Sequence, residues 1–255
     1  MGKLIIASIL ASTMLLCCGR SAMADDKYYG DRELKMVAFG DSITAGMDII
    51  GIGSYPSYNW STGSNIDSHS VKLMRLYHVQ VTTLNVAIPF APAAWMPFEF
   101  SLIGSYVPDY ATIDAGANDI CQNYHMDIIG NIKRLIDDLI KRNPNIEIIL
   151  MPIPNITTMP YAVRGRDQTT CRAIWSVFCP YLLGPLVSDE QRYVRKLELD
   201  GINYSLGELA AKYPKQVRLT PIWEPLYDAE ISTYDCFHPS IIGQQRISDL
   251  TFFNP

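Results

Sequence analysis

Short apolar runs in this chain alternate with longer stretches that have helical spacing. Runs of apolar and β-branched residues, several of them followed by glycine or proline, predict five buried strands. These strands are Leu34 to Phe39, Val79 to Ile88, Ala111 to Ala115, Ile146 to Met151 and Gln216 to Trp223. Strands that alternate with helices imply parallel β–α units. The pattern therefore predicts an α/β fold, a three-layer α/β/α sandwich around a five-stranded, mainly parallel sheet.

Helices are predicted between and after these strands. Asp127 to Arg142 has apolar residues at spacings of three and four, which is typical of an amphipathic helix. A second long helix is expected from Ser188 to about Tyr213, and shorter ones soon after Ser42 and from Ser240 onward. Residues 152–187 contain many prolines and glycines and two cysteines, so we expect a long, disulfide-pinned loop there.

The N-terminus has the pattern of a cleavable secretory signal. Lys3 precedes an apolar run from Leu4 to Cys18, and Ala22-Met23-Ala24 forms a small-x-small cleavage site. The run of about 15 residues is shorter than the roughly 20 of a membrane-spanning helix. We predict a signal peptide over 1–24 and a single domain over 25–255, secreted or periplasmic. An uncleaved membrane anchor is the alternative.

Charge limits the classes of partner. The formal net charge is −5, and loss of Lys3 and Arg20 with the signal would make the chain more negative still. Phosphate binding needs clustered lysines and arginines, which argues against nucleic acid as a partner. The same balance argues against strong electrostatic attraction to anionic membranes. We expect a monomer.

Four cysteines remain after the predicted cleavage: Cys121, Cys171, Cys179 and Cys236. An even number in an exported protein indicates two disulfides, and three pairings are possible. We favour Cys171–Cys179, which closes a short loop, and by elimination Cys121–Cys236. A metal site is the alternative, but no paired CxxC or HExxH spacing supports it. We therefore predict no metal and no cofactor.

Residues able to carry out catalysis follow three of the predicted strands, at the sheet edge where ligands bind. Ser42 follows the first strand, in Gly40-Asp41-Ser42-Ile43. A serine at a strand-to-helix turn exposes its hydroxyl, and the helix N–H groups favour developing negative charge. A serine here is also typical of a helix N-cap. The nucleophile hypothesis therefore depends on its partners.

A base and an oxyanion donor are available to Ser42. Asp235, three residues before His238, can accept the second imidazole N–H and stabilise the imidazolium. His69, His78 and His125 have no such partner at close spacing, and we interpret them as surface or loop residues.

The third motif, Gly116-Ala117-Asn118-Asp119, places the Asn118 amide where it could donate to a tetrahedral oxyanion. A simple turn is the alternative for this segment. The order serine, asparagine, Asp-x-x-His, each after a strand, is more specific than any one part. No G-x-S-x-G motif occurs, which argues against an ordinary α/β-hydrolase.

Together these motifs resemble the GDSL/SGNH hydrolases, closest to their phospholipase-B-like branch. The branch resemblance depends on Trp60-Ser61-Thr62-Gly63, on the residues around Cys121 and Cys179-Pro180, and on Asp235-Cys236-Phe237-His238. The resemblance implies a flavodoxin-like sandwich that attacks acyl esters. It also implies the roles of nucleophile for Ser42, base for His238, its partner for Asp235, and oxyanion donors for Asn118 and the Ser42 N–H.

The second block departs from the family pattern. Its usual glycine, whose backbone N–H completes the oxyanion hole, aligns with Phe90; Ala87 is a less favoured substitute. Any residue except proline has an N–H, but phenylalanine is restricted where glycine is free. We expect the Phe90 N–H to be the third donor, and an incomplete oxyanion hole is the alternative. The segment Phe90 to Phe100, with Trp95, Met96 and Phe98, predicts either a wall for an acyl chain or core packing.

The predicted function is a secreted carboxylic-ester hydrolase that forms a serine acyl-enzyme. Its expected substrates are lipids such as phospholipids or lysophospholipids, at a membrane or micelle surface. A small-acyl esterase (a carbohydrate deacetylase or an arylesterase) is one alternative. A non-catalytic lipid- or glycan-binding protein on the same scaffold is the other, and Phe90 is its only support.

Overall fold

A computed structural model describes residues 33–124 and 127–252, so the predicted signal over 1–24 lies outside the described residues. Five parallel strands form one sheet in the order β2-β1-β3-β4-β5. They are β1 (Leu34–Gly40), β2 (Val81–Asn85), β3 (Tyr110–Asp114), β4 (Glu147–Met151) and β5 (Val217–Leu219). This is the predicted α/β sheet, wound in both directions from a switch point between β1 and β3.

Helices lie in the connections between the strands and after β5. They are α1 (Ser42–Ala45), α2 (His69–Tyr77), α3 (Met96–Leu102), α4 (Ala117–Gln122), α5 (Ile128–Arg142), α6 (Met159–Ala162), α7 (Gln168–Phe178), α8 (Pro180–Leu183), α9 (Asp189–Ala210) and α10 (Ile241–Thr251). Within the described ranges, none of these helices has both the length and the apolar character to span a membrane.

Alternate side chains of the strands enter two separate cores, one on each face of the sheet. Phe39 of β1 packs with Leu135 of α5 in the larger cluster. Met36 of β1 packs with Leu73 of α2 in the smaller cluster. Because successive side chains of a strand point to opposite faces, helices cover both sides and the molecule has three layers.

The ends of β1 and β3 lie side by side and bring their following turns together. Gly40 pairs with Asp114 in the parallel register. A Cβ on Gly40 would lie 2.4 Å from the Asp114 carbonyl oxygen, and its φ of 150° favours glycine. This close approach places the turns that carry Ser42 and Asn118 at the same edge of the sheet.

Residues 152–187 are not the predicted long loop. They contain α6, α7 and α8, and the side chains of Trp175 and Leu182 are buried. Asp167 caps α7 by accepting the Thr169 N–H. Prolines stand in the first turns of α6 and α8, where a helix tolerates them well, so they do not exclude helices from this segment.

The predicted disulfide pairing is wrong. The bonds are Cys121–Cys179 and Cys171–Cys236. Cys171 and Cys179 lie near opposite ends of α7, where a helix rise of about 1.5 Å per residue separates them by more than a disulfide can span. The two bonds instead link α7 to α4 and to the chain after β5.

Candidate active site

The turn after β1 presents Ser42 with its hydroxyl free. Asp41, not Ser42, caps α1, because its Oδ1 accepts the Ile43 N–H at 2.9 Å. Ser42 is the first residue of the helix and is buried, and its hydroxyl makes no hydrogen bond within the described residues. Ser42 is therefore not the N-cap of α1, because Asp41 caps this helix.

His238 and Asp235 form the predicted pair in the segment after β5. Nδ1 of His238 is hydrogen-bonded to Oδ2 of Asp235, and Oδ1 of Asp235 accepts the N–H groups of Phe237 and His238 at 2.9 and 3.0 Å. Burial alone would raise the pKa of Asp235, but these hydrogen bonds and the His238 charge hold it below its usual value. Asp235 thereby fixes the ring and leaves Nε2 as the basic nitrogen.

One pocket contains Ser42, His238 and the Asn118 amide. Its volume is about 340 Å³ with the open mouth included. Its walls are formed by Asp41, Ser42, Ile43, Ala117, Asn118, Cys121, Ile156, Trp223, Phe237 and His238. Nε2 of His238 is buried and has no hydrogen-bond partner among the described residues. The fold thus brings together groups from three separate strand ends around mainly apolar walls.

The Asn118 side chain bridges two turns of the site. Its Nδ2 donates to the Ala91 carbonyl at 3.2 Å and to Oδ2 of Asp41 at 3.4 Å. The longer bond, to Asp41, is the weaker of the two by geometry. Asn118 can therefore exchange that bond for an oxyanion while Ala91 keeps the amide oriented.

Phe90 has a backbone conformation that favours glycine. Its φ is 65°, and the Ala91 N–H closes a turn on the Ile88 carbonyl at 3.1 Å. With Pro89 before it, Phe90 occupies the third position of a type II turn, where positive φ is required. The Phe90 N–H makes no hydrogen bond within the described ranges. Its assignment as an oxyanion donor stays a prediction, because Phe90 is not among the pocket walls.

Three phenylalanine rings form an aromatic stack beside His238. Phe178 stacks between Phe90 and Phe237, with ring centroids 5.5 and 5.7 Å apart. Phe178 and Phe237 also form T-shaped pairs with His238, with ring centroids 5.6 and 5.2 Å apart. Phe178 was not predicted as a site residue, because a loop was expected over residues 152–187. Its position next to Cys179 was the available signal.

Buried carboxyl groups surround the turn that carries Ser42. Burial raises the pKa of Asp41 and of Asp119 to about 6 each. Burial, reinforced by the nearby charge of Asp41, raises the pKa of Glu99 to about 9 and that of Asp114 well above its usual range. Oε2 of Glu99 accepts the Gly40 N–H at 2.9 Å, so this acid supports the turn itself.

The surroundings of the other described histidines, His69 and His78, differ from those of His238. His69 was predicted to be a surface or loop residue, but it is fully buried. Its two ring nitrogens are hydrogen-bonded to the hydroxyls of Tyr110 and Thr251, both at 2.8 Å. Burial, and then the Lys72 charge, lowers the pKa of His69 well below its usual value. His78 is exposed as predicted, and His125 lies outside the described residues.

A doubly wound α/β sandwich with a serine, an aspartate-paired histidine and a side-chain amide at its strand ends has the design of a serine hydrolase. The sequence profile of the GDSL-like Lipase/Acylhydrolase family matches residues 38–246. The chain belongs to this family and is a serine ester hydrolase. No curated protein sequence matches it.

Solved structures of similar fold include three bacterial enzymes. A family 3 carbohydrate esterase from Clostridium thermocellum has 14% identity and a TM-score of 0.53, over 86% of this chain and 93% of that one. A lipase/acylhydrolase from Enterococcus faecalis has 18% identity and a TM-score of 0.51, over 85% of this chain and 92% of that one. A variant of an acetyl xylan esterase from Geobacillus stearothermophilus has 19% identity and a TM-score of 0.51, with the same coverage of 85% and 92%. At these identities the similarity shows the fold alone.

Proposed function

We propose that this protein is a secreted hydrolase of apolar carboxylic esters, including phospholipids or lysophospholipids, and that it acts through an acyl-enzyme on Ser42. The observation that carries the proposal is the shared pocket of Ser42, Asn118 and the Asp235–His238 pair. Two disulfides support an oxidising compartment outside the cytosol.

The chemistry would proceed in two acyl-transfer steps. Nε2 of His238 takes the Ser42 hydroxyl proton as Oγ bonds to the carbonyl carbon, and then gives that proton to the departing alkoxide. Water repeats the sequence on the acyl-enzyme and releases the acid. The backbone N–H groups of Ser42 and Phe90 and the Asn118 amide would hold the oxyanion. Loss of one such donor costs about 3 kcal/mol of transition-state stabilisation.

An exposed aromatic surface supports the proposal that the substrates are apolar. In the 90–100 segment Met96 is in the core, but Phe90, Trp95 and Phe98 are 48, 45 and 55% exposed. The Ala93 N–H bonds Oδ2 of Asp119, which ties this segment to α4. Clustered exposed aromatics are typical of sites that bind apolar ligands or lipid surfaces.

A small-acyl esterase is the second candidate, and the narrow pocket favours it. At about 340 Å³ with its open mouth included, the pocket lies near the lower end of the roughly 300–1,000 Å³ that small-molecule sites occupy. An acetyl group fits such a space more readily than a long chain, which would have to run outward along the aromatic stack.

Labelling by a fluorophosphonate probe tests the catalytic assignment. We expect the wild type to be labelled at Ser42, and Ser42→Ala to lose both labelling and ester hydrolysis while it keeps its fold by circular dichroism. His238→Ala should also lose turnover, by at least about 10³-fold, because the nucleophile loses its base. Near wild-type activity in either variant would refute the assignment and favour a binding protein.

A panel of esters that differ in acyl length and head group separates the two candidates. If apolar acyl chains bind the aromatic surface, Trp95→Ala should raise KM for long-chain esters by about tenfold and leave acetyl esters nearly unchanged. Ser42→Ala is the blank, and Tyr204→Ala is a control for loss of an exposed ring elsewhere. Equal losses on acetyl and long-chain esters would remove Trp95 from acyl binding, and activity on acetyl esters alone would favour the small-acyl esterase.

A further inference from the structure

A second carboxyl group lies beside the catalytic histidine. Oδ2 of Asp48 is 3.7 Å from Nδ1 of His238, the nitrogen that Asp235 also contacts. One side-chain atom from each of these three residues lies within 4.8 Å of the others. Asp48 is 5% exposed, so this proximity is part of the interior and not a surface pairing.

The chain holds Asp48 in place from both sides. Its Oδ1 accepts the Gly53 N–H at 2.6 Å, and its own N–H bonds the Gly53 carbonyl at 2.7 Å. The Ser232 hydroxyl donates to the Asp48 carbonyl, which connects this loop to the segment that carries Asp235. Asp48 also has a φ of 53°, a conformation that aspartate tolerates better than most residues. These contacts aim Oδ2 at the histidine.

We propose that Asp48 is a second positioning carboxylate for His238, one that strengthens imidazolium formation when it is ionised. The proposal rests on the proposed function of His238 as base. The Ser42 proton still goes to Nε2, the Nδ1–H remains with Asp235, and Asp48 neither gives nor takes a proton in the step. Its negative charge favours the positive ring, which exists only after that transfer.

The two carboxyls should differ in protonation. Burial raises the pKa of Asp48, and the neighbouring Asp235 charge adds to the rise although the Gly53 N–H opposes it. Asp235 remains the ionised member, since its pKa lies below the usual value. As pH rises, Asp48 therefore ionises after Asp235 and adds the second charge beside Nδ1.

Other charged groups near this site are common to all variants compared. Asp41 interacts with the His238 charge from the turn after β1, and Asp235 does so from the chain after β5. Arg166 binds the carbonyls of Ile231 and Ser232 on that same segment and is paired with Asp228. A substitution at Asp48 leaves Asp41, Arg166 and Asp228 in place, so their charges are present in both the variant and the wild type.

The test is the pH profile of kcat/KM for a soluble short-chain ester, from about pH 5 to about pH 9, with Asp48→Asn. Asparagine tolerates the positive φ, and its oxygen can still accept the Gly53 N–H. We expect the ratio of variant to wild type to fall by about tenfold as pH rises through the ionisation of Asp48, which corresponds to about 1.4 kcal/mol. Asp48→Gly, which suits this φ and also lacks the charge, should show the same trend and carries the test if the asparagine variant does not fold.

Asp200→Asn, which removes a half-exposed carboxylate on α9, is the matched control and should give a flat ratio. A ratio below one that does not change with pH would assign Asp48 a structural role only, and a ratio of one would remove it from the mechanism. Either result overturns this proposal. Activity that survives in Ser42→Ala would instead overturn the proposed function itself, so the two failures are distinguishable.

Discussion

Phe90 departs from the family's sequence pattern but has the backbone conformation that the usual glycine would adopt. The sequence places a phenylalanine where the family usually has glycine, and the structure gives it the positive φ that a glycine would adopt. Holding a non-glycine residue in this region costs about 1–2 kcal/mol. Stacking on Phe178 offsets part of that cost, at about 0.5–1.5 kcal/mol for an aromatic pair.

Phe90→Gly should therefore change stability by less than about 1 kcal/mol, because relief of strain and loss of stacking nearly cancel. If the backbone N–H is the contribution to catalysis, kcat for an acetyl ester should stay within about threefold of wild type. Steady-state kinetics and thermal unfolding measure both effects.

Phe178→Ala, which removes the stack without altering the turn, is the comparison for Phe90→Gly. A hundredfold loss of kcat in Phe90→Gly alone would show that the phenyl ring, and not the N–H, is what the reaction needs.

At the scale of elements, α7 connects the parts of the site. One disulfide joins Cys179, at its end, to Cys121 on the helix that carries Asn118. The other joins Cys171 to Cys236, between Asp235 and His238. The Trp175 Nε1–H also bonds the Cys236 carbonyl at 2.9 Å. The helix thus holds Phe178 against His238, and both disulfides end beside residues of the candidate site.

Non-reducing peptide mapping should show Cys121 joined to Cys179 and Cys171 joined to Cys236. Replacing Cys171 and Cys236 by serine should lower the free energy of unfolding by roughly 2–5 kcal/mol, because the unfolded chain is no longer cross-linked. It should also reduce kcat, since His238 and Phe178 lose a shared anchor. Peptides that join Cys171 to Cys179 would contradict the pairing, and unchanged kcat would confine the bond to stability.

For the whole molecule, the buried acids make stability depend on pH in an unusual direction. Glu99 has a pKa of about 9 in the folded protein against an ordinary 4.5. Between these values the folded state holds a proton that the unfolded state has released. Stability from this group is therefore fully present below about pH 4.5 and is lost as pH rises towards 9. Most paired carboxylates have the opposite effect.

Glu99→Gln should remove this dependence. The free energy of unfolding of the wild type, measured by thermal unfolding, should fall more steeply with rising pH than that of the variant. The difference in slope should be at most about 1.4 kcal/mol per pH unit. Glu198→Gln, at a partly exposed ion pair with Arg195, is the control and should follow the wild type. Parallel curves for Glu99→Gln and wild type would show that Glu99 is ionised in the folded state.

The secondary structure could be predicted from the sequence more completely than the residues that surround the site. The strands and α5 followed from apolar periodicity, because burial on one or both faces constrains the sequence locally. Phe178, Glu99 and Asp48 were not foreseen. None belongs to a local motif, and each reaches the site only through contacts between residues distant in the chain.

By itself the sequence determined the five strands, the parallel sheet, the family resemblance and the motifs that carry Ser42, Asn118, Asp235 and His238. These depend on periodicity and on residues close in the chain, where local physical chemistry decides. Only the tertiary structure decided the disulfide pairing, the aromatic stack and the second carboxyl beside His238. These depend on distances across the packed chain, which residue spacing does not encode. The packing of the chain places Asn118, Phe237 and His238 around Ser42 in one pocket.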